Sequence, residues 1–175
     1  MSEGAFHYTD SGLDYIFLTD GYKMRETKRG VSVAIERIDE LHAGIAKFIV
    51  TMPYPLRGQE VRFLRSMLGY SQEELGRKLG VRRNAVAVYE RDRMKAIPAQ
   101  SDHLLRMFYA MEMFRKRPDA AEFQELNSKI LDNLEVAGDG VDEDARQTTF
   151  TPTEAGWTGE GAPSRNWSGH PTLGG

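Results

Sequence analysis

Two adjacent side chains, Arg83 and Asn84, have the hydrogen-bonding geometry needed to read the edges of DNA bases. An arginine guanidinium can donate two hydrogen bonds to guanine O6 and N7, and an asparagine amide can pair in the same bidentate way with adenine N6 and N7. Both residues lie in the run RRNAVAVYE, residues 82–90, in which Ala87 and Val88 also face outward and Val88 suits an apolar contact with a thymine methyl. These four side chains are therefore predicted to contact base pairs. The alternative is that they are ordinary surface residues of a helical bundle.

A second set of polar and basic side chains is predicted to contact DNA phosphates, which fix the position of a protein without reading sequence. The set consists of Ser71, Gln72, Arg82, Arg91, Arg93 and Lys95. Gln72 is expected to act together with the backbone N–H groups at a helix start, an arrangement that favours anions. For Arg91, Arg93 and Lys95, a plain solvated loop is the open alternative.

Two short helices joined by a tight turn are predicted to position these side chains. Ser71 is a good N-cap residue, and Glu74 three positions later completes a capping box. Gly80 supplies the left-handed residue that ends the first helix. The second helix is predicted to cover residues 82–90, with Val86 on its apolar side. This is the pattern of a helix-turn-helix, whose second helix enters the DNA major groove.

The same stretch resembles the lambda-repressor-like (Xre/Cro-type) helix-turn-helix superfamily. The residues that carry the resemblance are Ser71-Gln72, Leu75, Gly80-Val81 and Tyr89-Glu90. The pair Asn84-Ala85 ahead of Tyr89-Glu90 also resembles the DNA-binding half of MqsA-type antitoxin regulators. The resemblance covers roughly residues 57–114, about a third of the chain. It implies a transcriptional regulator, either a repressor or an autoregulating antitoxin, that binds a palindromic operator in double-stranded DNA as a homodimer.

Some residues depart from that family pattern and others agree with it. The chain has no cysteine, so it cannot build the thiolate zinc domain that MqsA-type antitoxins carry. Arg82 stands where the superfamily usually has a small capping hydroxyl, and Val88 replaces an arginine that makes a second base contact. The operator sequence therefore cannot be carried over from the family. Arg65 stands where the superfamily has an arginine that pairs with Glu90, and a bidentate ion pair there would hold the helices together.

Residue patterning predicts an α+β protein, mainly α, in three ranges. Residues 1–52 are predicted to form a small three-stranded β-meander, with a hairpin turn at Asp20-Gly21, followed by one helix. Residues 57–135 are predicted to form a lambda-repressor-like DNA-binding domain of five helices. Residues 137–175 are acidic and then rich in Gly and Pro, which is typical of a flexible tail.

Two segments near the ends of the chain carry further predictions. The segment from His7 to Tyr22 resembles the N-terminal motif of a cysteine-free branch of MqsA-like regulators. In the segment 148–153, Phe150 alternates with threonines, which predicts a short strand that pairs with the N-terminal sheet. Trp157 is then expected to anchor this strand.

Charge is distributed unevenly along the 175 residues, although the formal net charge is only −3. From Arg57 to Arg117, 14 Lys and Arg stand against 7 Asp and Glu, a local charge of +7. From Pro118 to Glu160 the chain has 2 Lys and Arg but 11 Asp and Glu, a local charge of −9. The basic segment coincides with the predicted helix-turn-helix, which favours attraction to phosphates. With neither a long apolar run nor a secretion signal in the sequence, we expect a cytoplasmic protein without membrane contact.

The main alternative to a regulator is a protein-interaction module, an antitoxin or hub, that keeps the fold without specific DNA binding. In either case a toxin or other protein partner is expected to bind residues 1–50. An enzyme is the weakest hypothesis, because the histidines lack metal-ligand spacing and we find no phosphate loop or nucleophile elbow. The four histidines are His7, His42, His103 and His170. We therefore predict no catalytic residue, no metal site and no cofactor.

Overall fold

The computed structural model describes residues 4–134 and 146–161. The helices in these ranges are α1 (Ile38–Thr51), α2 (Gly58–Leu68), α3 (Gln72–Leu79), α4 (Arg83–Arg91), α5 (Ala99–Lys116) and α6 (Ala120–Leu134). The strands are β1 (Phe6–His7), β2 (Ile16–Leu18), β3 (Tyr22–Thr27), β4 (Gly30–Ile35), β5 (Thr148–Thr153) and β6 (Gly156–Gly161). None of these helices is long and apolar enough to cross a bilayer. The predicted mixture of helices with a minority of strands is confirmed.

The strands form two separate sheets rather than the predicted meander. One sheet has the order β1-β2-β5-β6, and the other is the hairpin of β3 and β4. β2 pairs antiparallel with β1 and parallel with β5, with Ile16 opposite Thr148. Both edges of β2 are thus occupied, so β3 cannot pair with it, and the hairpin predicted through Asp20-Gly21 is wrong. The second pairing of the predicted meander is confirmed, because β3 and β4 form an antiparallel hairpin. Gly21 instead lies at φ 75° against the ring of Trp157, where a Cβ atom would come within 2.6 Å of the indole.

A β-hairpin lies inside the range 137–175 that was predicted to be a flexible tail. Its first strand, β5, occupies the segment where a strand was predicted, and it joins the N-terminal sheet as expected. Trp157 is buried beside it, and its indole Nε1 donates a hydrogen bond to the carbonyl oxygen of Glu36 at 3.1 Å. The tail prediction is therefore wrong for this hairpin, while residues 137–145 and 162–175 lie outside the described residues.

One hydrophobic core passes through the ranges predicted as separate domains. The inner face of α1 is fully buried and consists of Leu41, Ile45, Ala46, Ile49 and Val50. Phe48 on α1 meets Phe150 of β5 edge-to-face, with ring centroids 6.4 Å apart. Leu64 of α2 and Leu105 of α5 belong to the same buried cluster. The range 1–52 therefore packs directly on the helices that follow it, and the domain boundaries remain predictions.

A buried arginine joins the end of α1 to α5. Arg106 is only 3% exposed, and its Nε donates to Oδ1 of Asp102 at 2.5 Å. Its Nη1 and Nη2 groups donate to the carbonyl oxygens of Val50, Met52 and Tyr54, at 3.1, 2.7 and 2.6 Å. Carbonyls at a helix C-terminus have no partner within the helix, so this guanidinium satisfies acceptors that α1 leaves open. The other oxygen of Asp102 accepts from the backbone N–H of Leu56 at 2.8 Å.

A second buried polar cluster ties the N-terminal turn to α2 and to the start of β5. Glu60 is fully buried, and its Oε2 accepts from the backbone N–H of Arg57 at 2.6 Å. The guanidinium of Arg146 lies 3.8 Å from the other oxygen of Glu60. Gln59 donates to Asp14 at 2.7 Å. A buried carboxylate needs such partners, so these cationic and amide groups hold three distant segments together.

Candidate nucleic-acid interface

The first helix of the predicted motif begins with the capping box read from the sequence. Oγ of Ser71 accepts a hydrogen bond from the N–H of Glu74 at 3.1 Å, and Oε2 of Glu74 accepts from the N–H of Ser71 at 2.7 Å. These hydrogen bonds lower the pKa of the Glu74 carboxyl, the largest cause being the backbone N–H of Ser71. The helix ends at Gly80, which is left-handed with φ 69°. The predicted helix start and helix end are both confirmed.

The Ser71→Ala variant is expected to lose about 1 kcal/mol of folding stability, because α3 loses its N-cap acceptor. Urea denaturation of wild type and variant measures this loss. Ser66→Ala is the matched control, because the exposed Ser66 hydroxyl only donates back to the carbonyl of Arg62 within α2. Equal stability of Ser71→Ala and wild type would contradict a role for the cap.

The Glu74 half of the capping box is expected to weaken in acid. Its pKa is lower in the folded protein than in the unfolded chain, so its contribution is complete above the unfolded pKa. The contribution is lost as the pH falls through the folded pKa. Urea midpoints recorded across the acid range for wild type and Glu74→Gln therefore converge at low pH.

The second helix, α4, is sharply divided into a buried and an exposed face. Val86 and Glu90 are buried against the rest of the domain. Asn84, Ala87 and Val88 recur at spacings of three and four residues, so they share the opposite face of the helix. Val88 is 41% exposed, and the side chain of Asn84 is also exposed. The predicted base-reading residues on this face therefore face solvent and not the core.

The two helices approach closely at a glycine on α3. A Cβ atom on Gly76 would lie only 2.8 Å from the carbonyl oxygen of Val81 in the turn. Gly76 is buried, so its missing side chain lets the turn fold back onto α3. This contact sets the position at which α4 begins.

Arg65 and Glu90 form an ion pair that joins α2 to α4. Nε of Arg65 donates to Oε1 of Glu90 at 2.5 Å, and Nη2 donates to Oε2 at 3.0 Å. Arg65 Nη1 also donates to the carbonyl of Tyr70 at 2.8 Å, just before α3. The arrangement is bidentate and mostly buried, which gives it geometric specificity. The structure thus brings together the two residues that the sequence assigned to a structural pair.

The loop after α4 is attached to the start of α2. The N–H of Gly58 donates to the carbonyl of Lys95 at 3.2 Å, and the N–H of Gln59 donates to that of Arg93 at 3.1 Å. Gly58 also lies directly against α4, where a Cβ atom would come within 1.9 Å of the carbonyl oxygen of Tyr89. The end of α4 is therefore held on α2 through backbone contacts that tolerate no side chain at position 58.

A family model for helix-turn-helix proteins matches residues 61–101. The matched residues run from the first turn of α2 through α3 and α4 to the start of α5, so they contain both helices of the motif and their scaffold. This match indicates a DNA-binding regulator. Comparisons with curated proteins and with solved structures gave no match. The finer relation to MqsA-type antitoxins stays a prediction.

The predicted phosphate-contacting residues of the helix-turn-helix lie in different environments. Arg82 is exposed at the N-cap position of α4 and makes no side-chain cap. Arg91 is exposed and donates to the carboxylate of the neighbouring Asp92 at 3.0 Å. Lys95 is exposed in the following loop. These three residues place exposed positive charge at the two ends of α4 and in the loop that follows it.

Two other residues of that set are already engaged within the protein. Nε2 of Gln72 donates to Oε2 of Glu90 at 3.1 Å, which adds α3 to the network of Arg65. Nη2 of Arg93 donates to the carbonyl of Gly12 at 2.9 Å and lies 3.3 Å from Oε1 of Gln59. In the free protein these side chains hold neighbouring elements in place. Their phosphate contacts, like that of Ser71, stay predictions.

Sequence reasoning missed several residues that hold the helices of the fold together. Asp102 and Arg106 stand four apart on the apolar face of α5, and a charged pair at that spacing between buried residues is a visible signal. Gly58 had no comparable signal, because its partner, Tyr89, lies 31 positions away along the chain. The contacts of Arg106 with the end of α1 and of Gly58 with Tyr89 both depend on packing between elements that are distant in sequence.

Proposed function

We propose that this protein is a sequence-specific DNA-binding transcriptional regulator that inserts α4 into the major groove. The observation that carries this proposal is the exposed face of α4, on which Asn84, Ala87 and Val88 follow Arg83. Residues at the start of a recognition helix are the ones that reach base edges. An arginine followed by an asparagine at that point suits a guanine beside an adenine.

The charges around α4 also support this proposal. Arg82, Arg83, Arg91 and Lys95 are exposed on or next to the helix. The carboxylate of Glu90 at its far end is buried and neutralised by Arg65. The surface that would meet DNA is therefore basic, which suits contact with phosphates.

The Asn84→Ala variant is expected to lose about 1–3 kcal/mol of affinity for the operator, because one bidentate base contact disappears. Fluorescence anisotropy measures this loss, with DNA from the upstream region of the gene as the operator and a shuffled duplex of equal length as the reference. Affinity for the shuffled duplex should stay unchanged, because Asn84 would not contact phosphates.

The matched control is Lys95→Gln, which removes one exposed positive charge outside α4. This variant is expected to weaken binding to both duplexes alike and to lower the slope of log affinity against log salt by about one. If Asn84→Ala instead weakens both duplexes equally, or neither, then α4 does not read bases in the proposed way.

The finer parts of this proposal rest on the family resemblance. We infer a homodimer on a palindromic operator, with the two α4 helices about 34 Å apart on successive major grooves. We also infer repression of the gene's own operon and, as in an antitoxin, capture of a toxin by residues 1–50. Sedimentation with and without operator DNA tests whether the dimer forms. If it does, a half-site duplex should also bind more weakly than the full palindrome.

A second candidate function is a protein-interaction module without specific DNA binding. The observation that favours it is the β3–β4 hairpin, on which Met24 and Val31 expose large apolar side chains. Salt dependence distinguishes the two candidates. A regulator loses DNA affinity steeply as salt rises, whereas an interaction module shows weak binding to DNA and a tight protein partner.

A further inference from the structure

A cavity of about 540 Å³ lies on the side of the fold formed by α1, α5, α6 and the β5–β6 turn. Its lining includes no residue of α3 or α4, so it is separate from the candidate DNA-binding face. Its volume falls in the range of about 300–1,000 Å³ that is usual for small-molecule sites. The proposed function gives this cavity no role.

Four aromatic residues line the cavity: Tyr109, Phe114, Phe123 and Trp157. The rings of Phe114 and Phe123 are 4.9 Å apart, and Phe114 is 39% exposed. Small residues of α1, Ala43 and Gly44, line the same space. The aromatic faces carry partial negative charge and attract organic cations.

One aromatic residue of the lining also carries an unsatisfied polar group. Tyr109 is 2% exposed, and its hydroxyl has no hydrogen-bond partner among the described residues. Burial, with a smaller effect from the charge of Glu122, raises the pKa of Tyr109 to about 12. The hydroxyl is therefore neutral at physiological pH. The hydroxyl oxygen is itself buried, so a ligand in the cavity does not reach it.

The charged residues of the lining leave an excess of negative charge. Arg37 pairs with Glu40 and Lys47 pairs with Glu122, each at 3.3 Å. Three charged residues of the lining remain outside any ion pair among the described residues: Arg117, Asp119 and Glu154. Two carboxylates thus stand against one guanidinium, which leaves a local charge of −1.

We propose that this cavity binds a small aromatic organic cation, with its ring against the contacting pair of Phe114 and Phe123 and its ammonium group toward Glu154 and Asp119. The aromatic rings supply both apolar contact and cation–π attraction. The two carboxylates outside ion pairs are exposed and supply charge complementarity, although Oδ1 of Asp119 also accepts the backbone N–H of Glu122 at 2.9 Å. An anionic ligand would instead be repelled by the excess negative charge of the lining.

A series of three probes with the same ring tests the charge preference. The probes are 2-naphthylmethylammonium, 2-naphthylmethanol and 2-naphthoate, which differ in charge. Isothermal titration calorimetry with the full chain, in the absence of DNA, gives their dissociation constants. The ammonium is expected to bind about tenfold more tightly than the alcohol, and the carboxylate most weakly.

NMR spectroscopy locates the probe on the protein. The indole N–H signal of Trp157, assigned by comparison with Trp167→Phe, is expected to shift during titration with the ammonium probe. Glu154→Gln should reduce the preference for the ammonium over the alcohol, and Phe114→Ala should weaken binding of both. The matched controls are Glu160→Gln on β6 and Met111→Ala on α5, whose side chains are exposed and outside the cavity.

Three results would each overturn the proposal. The first is an alcohol or carboxylate that binds as tightly as the ammonium. The second is an unmoved Trp157 signal at saturating probe. The third is an effect of Glu154→Gln or Phe114→Ala no larger than that of its control. Because no DNA is present in these measurements, they test the cavity independently of the proposed regulatory function.

Discussion

The Gly58→Ala variant is expected to lose about 3 kcal/mol of folding stability and to bind operator DNA poorly. The added Cβ atom would lie 1.9 Å from the carbonyl oxygen of Tyr89 and 2.9 Å from that of Asp92. Both are backbone atoms, which cannot rotate away as the end of a flexible side chain can. The start of α2 and the end of α4 must therefore move apart by about 1.5 Å to reach an ordinary contact.

That movement would disturb the helix proposed to contact DNA. The N–H of Gly58 also donates to the carbonyl of Lys95, so separation strains this hydrogen bond as well. Urea denaturation measures the stability loss, and anisotropy at a temperature where the variant remains folded measures operator affinity. We expect both to fall, because a shift of α4 misplaces Arg83 and Asn84 relative to the phosphate contacts.

Gly44→Ala is the matched control for this substitution. Gly44 lies in the middle of α1, and a Cβ atom there would be 3.5 Å from its nearest neighbours, an ordinary contact. Alanine in a helix interior is more favourable than glycine by up to about 1 kcal/mol, so this variant should be as stable as wild type or more stable. Wild-type stability of Gly58→Ala would mean that α2 and α4 do not pack as described.

The Arg106→Ala variant is expected to lose about 3–5 kcal/mol of folding stability. Removing the guanidinium leaves the carboxylate of Asp102 buried without its ionic partner. It also removes the donors for the carbonyl groups at the end of α1. The stability falls because the Asp102 carboxylate and these carbonyl groups stay buried without hydrogen-bond partners. Chemical denaturation monitored by circular dichroism measures the loss.

Arg115→Ala on the same helix is the control for Arg106→Ala. Arg115 is exposed and pairs with Glu112 at 2.8 Å, and such surface pairs contribute about 0–1 kcal/mol. The double variant Asp102→Ala with Arg106→Ala is expected to be less destabilised than the sum of the single variants, because neither charge is left alone. If Arg106→Ala costs no more than Arg115→Ala, the buried pair does not join α1 to α5.

Much of the candidate interface could be predicted because its contacts are local in sequence. The Ser71 and Glu74 capping box spans three residues, and the left-handed Gly80 ends the helix that Ser71 begins. The exposed and buried faces of α4 follow from the helical repeat, which places Asn84 and Val88 on one side. The Arg65–Glu90 pair spans 25 positions, and both a family resemblance and the need of buried charges for partners pointed to it.

The sequence alone thus determined the mixture of helices and strands, the residues that begin and end α3, and the exposed side chains of α4. The tertiary structure decided which strands pair, which residues hold α2 on α4, and where a cavity remains. The physical reason is that a strand accepts any partner with free hydrogen-bonding groups, so local pattern does not select one. β2 pairs with β5, and Thr19 donates to Thr151 across 132 positions, because the packing of α1 brings these two segments together.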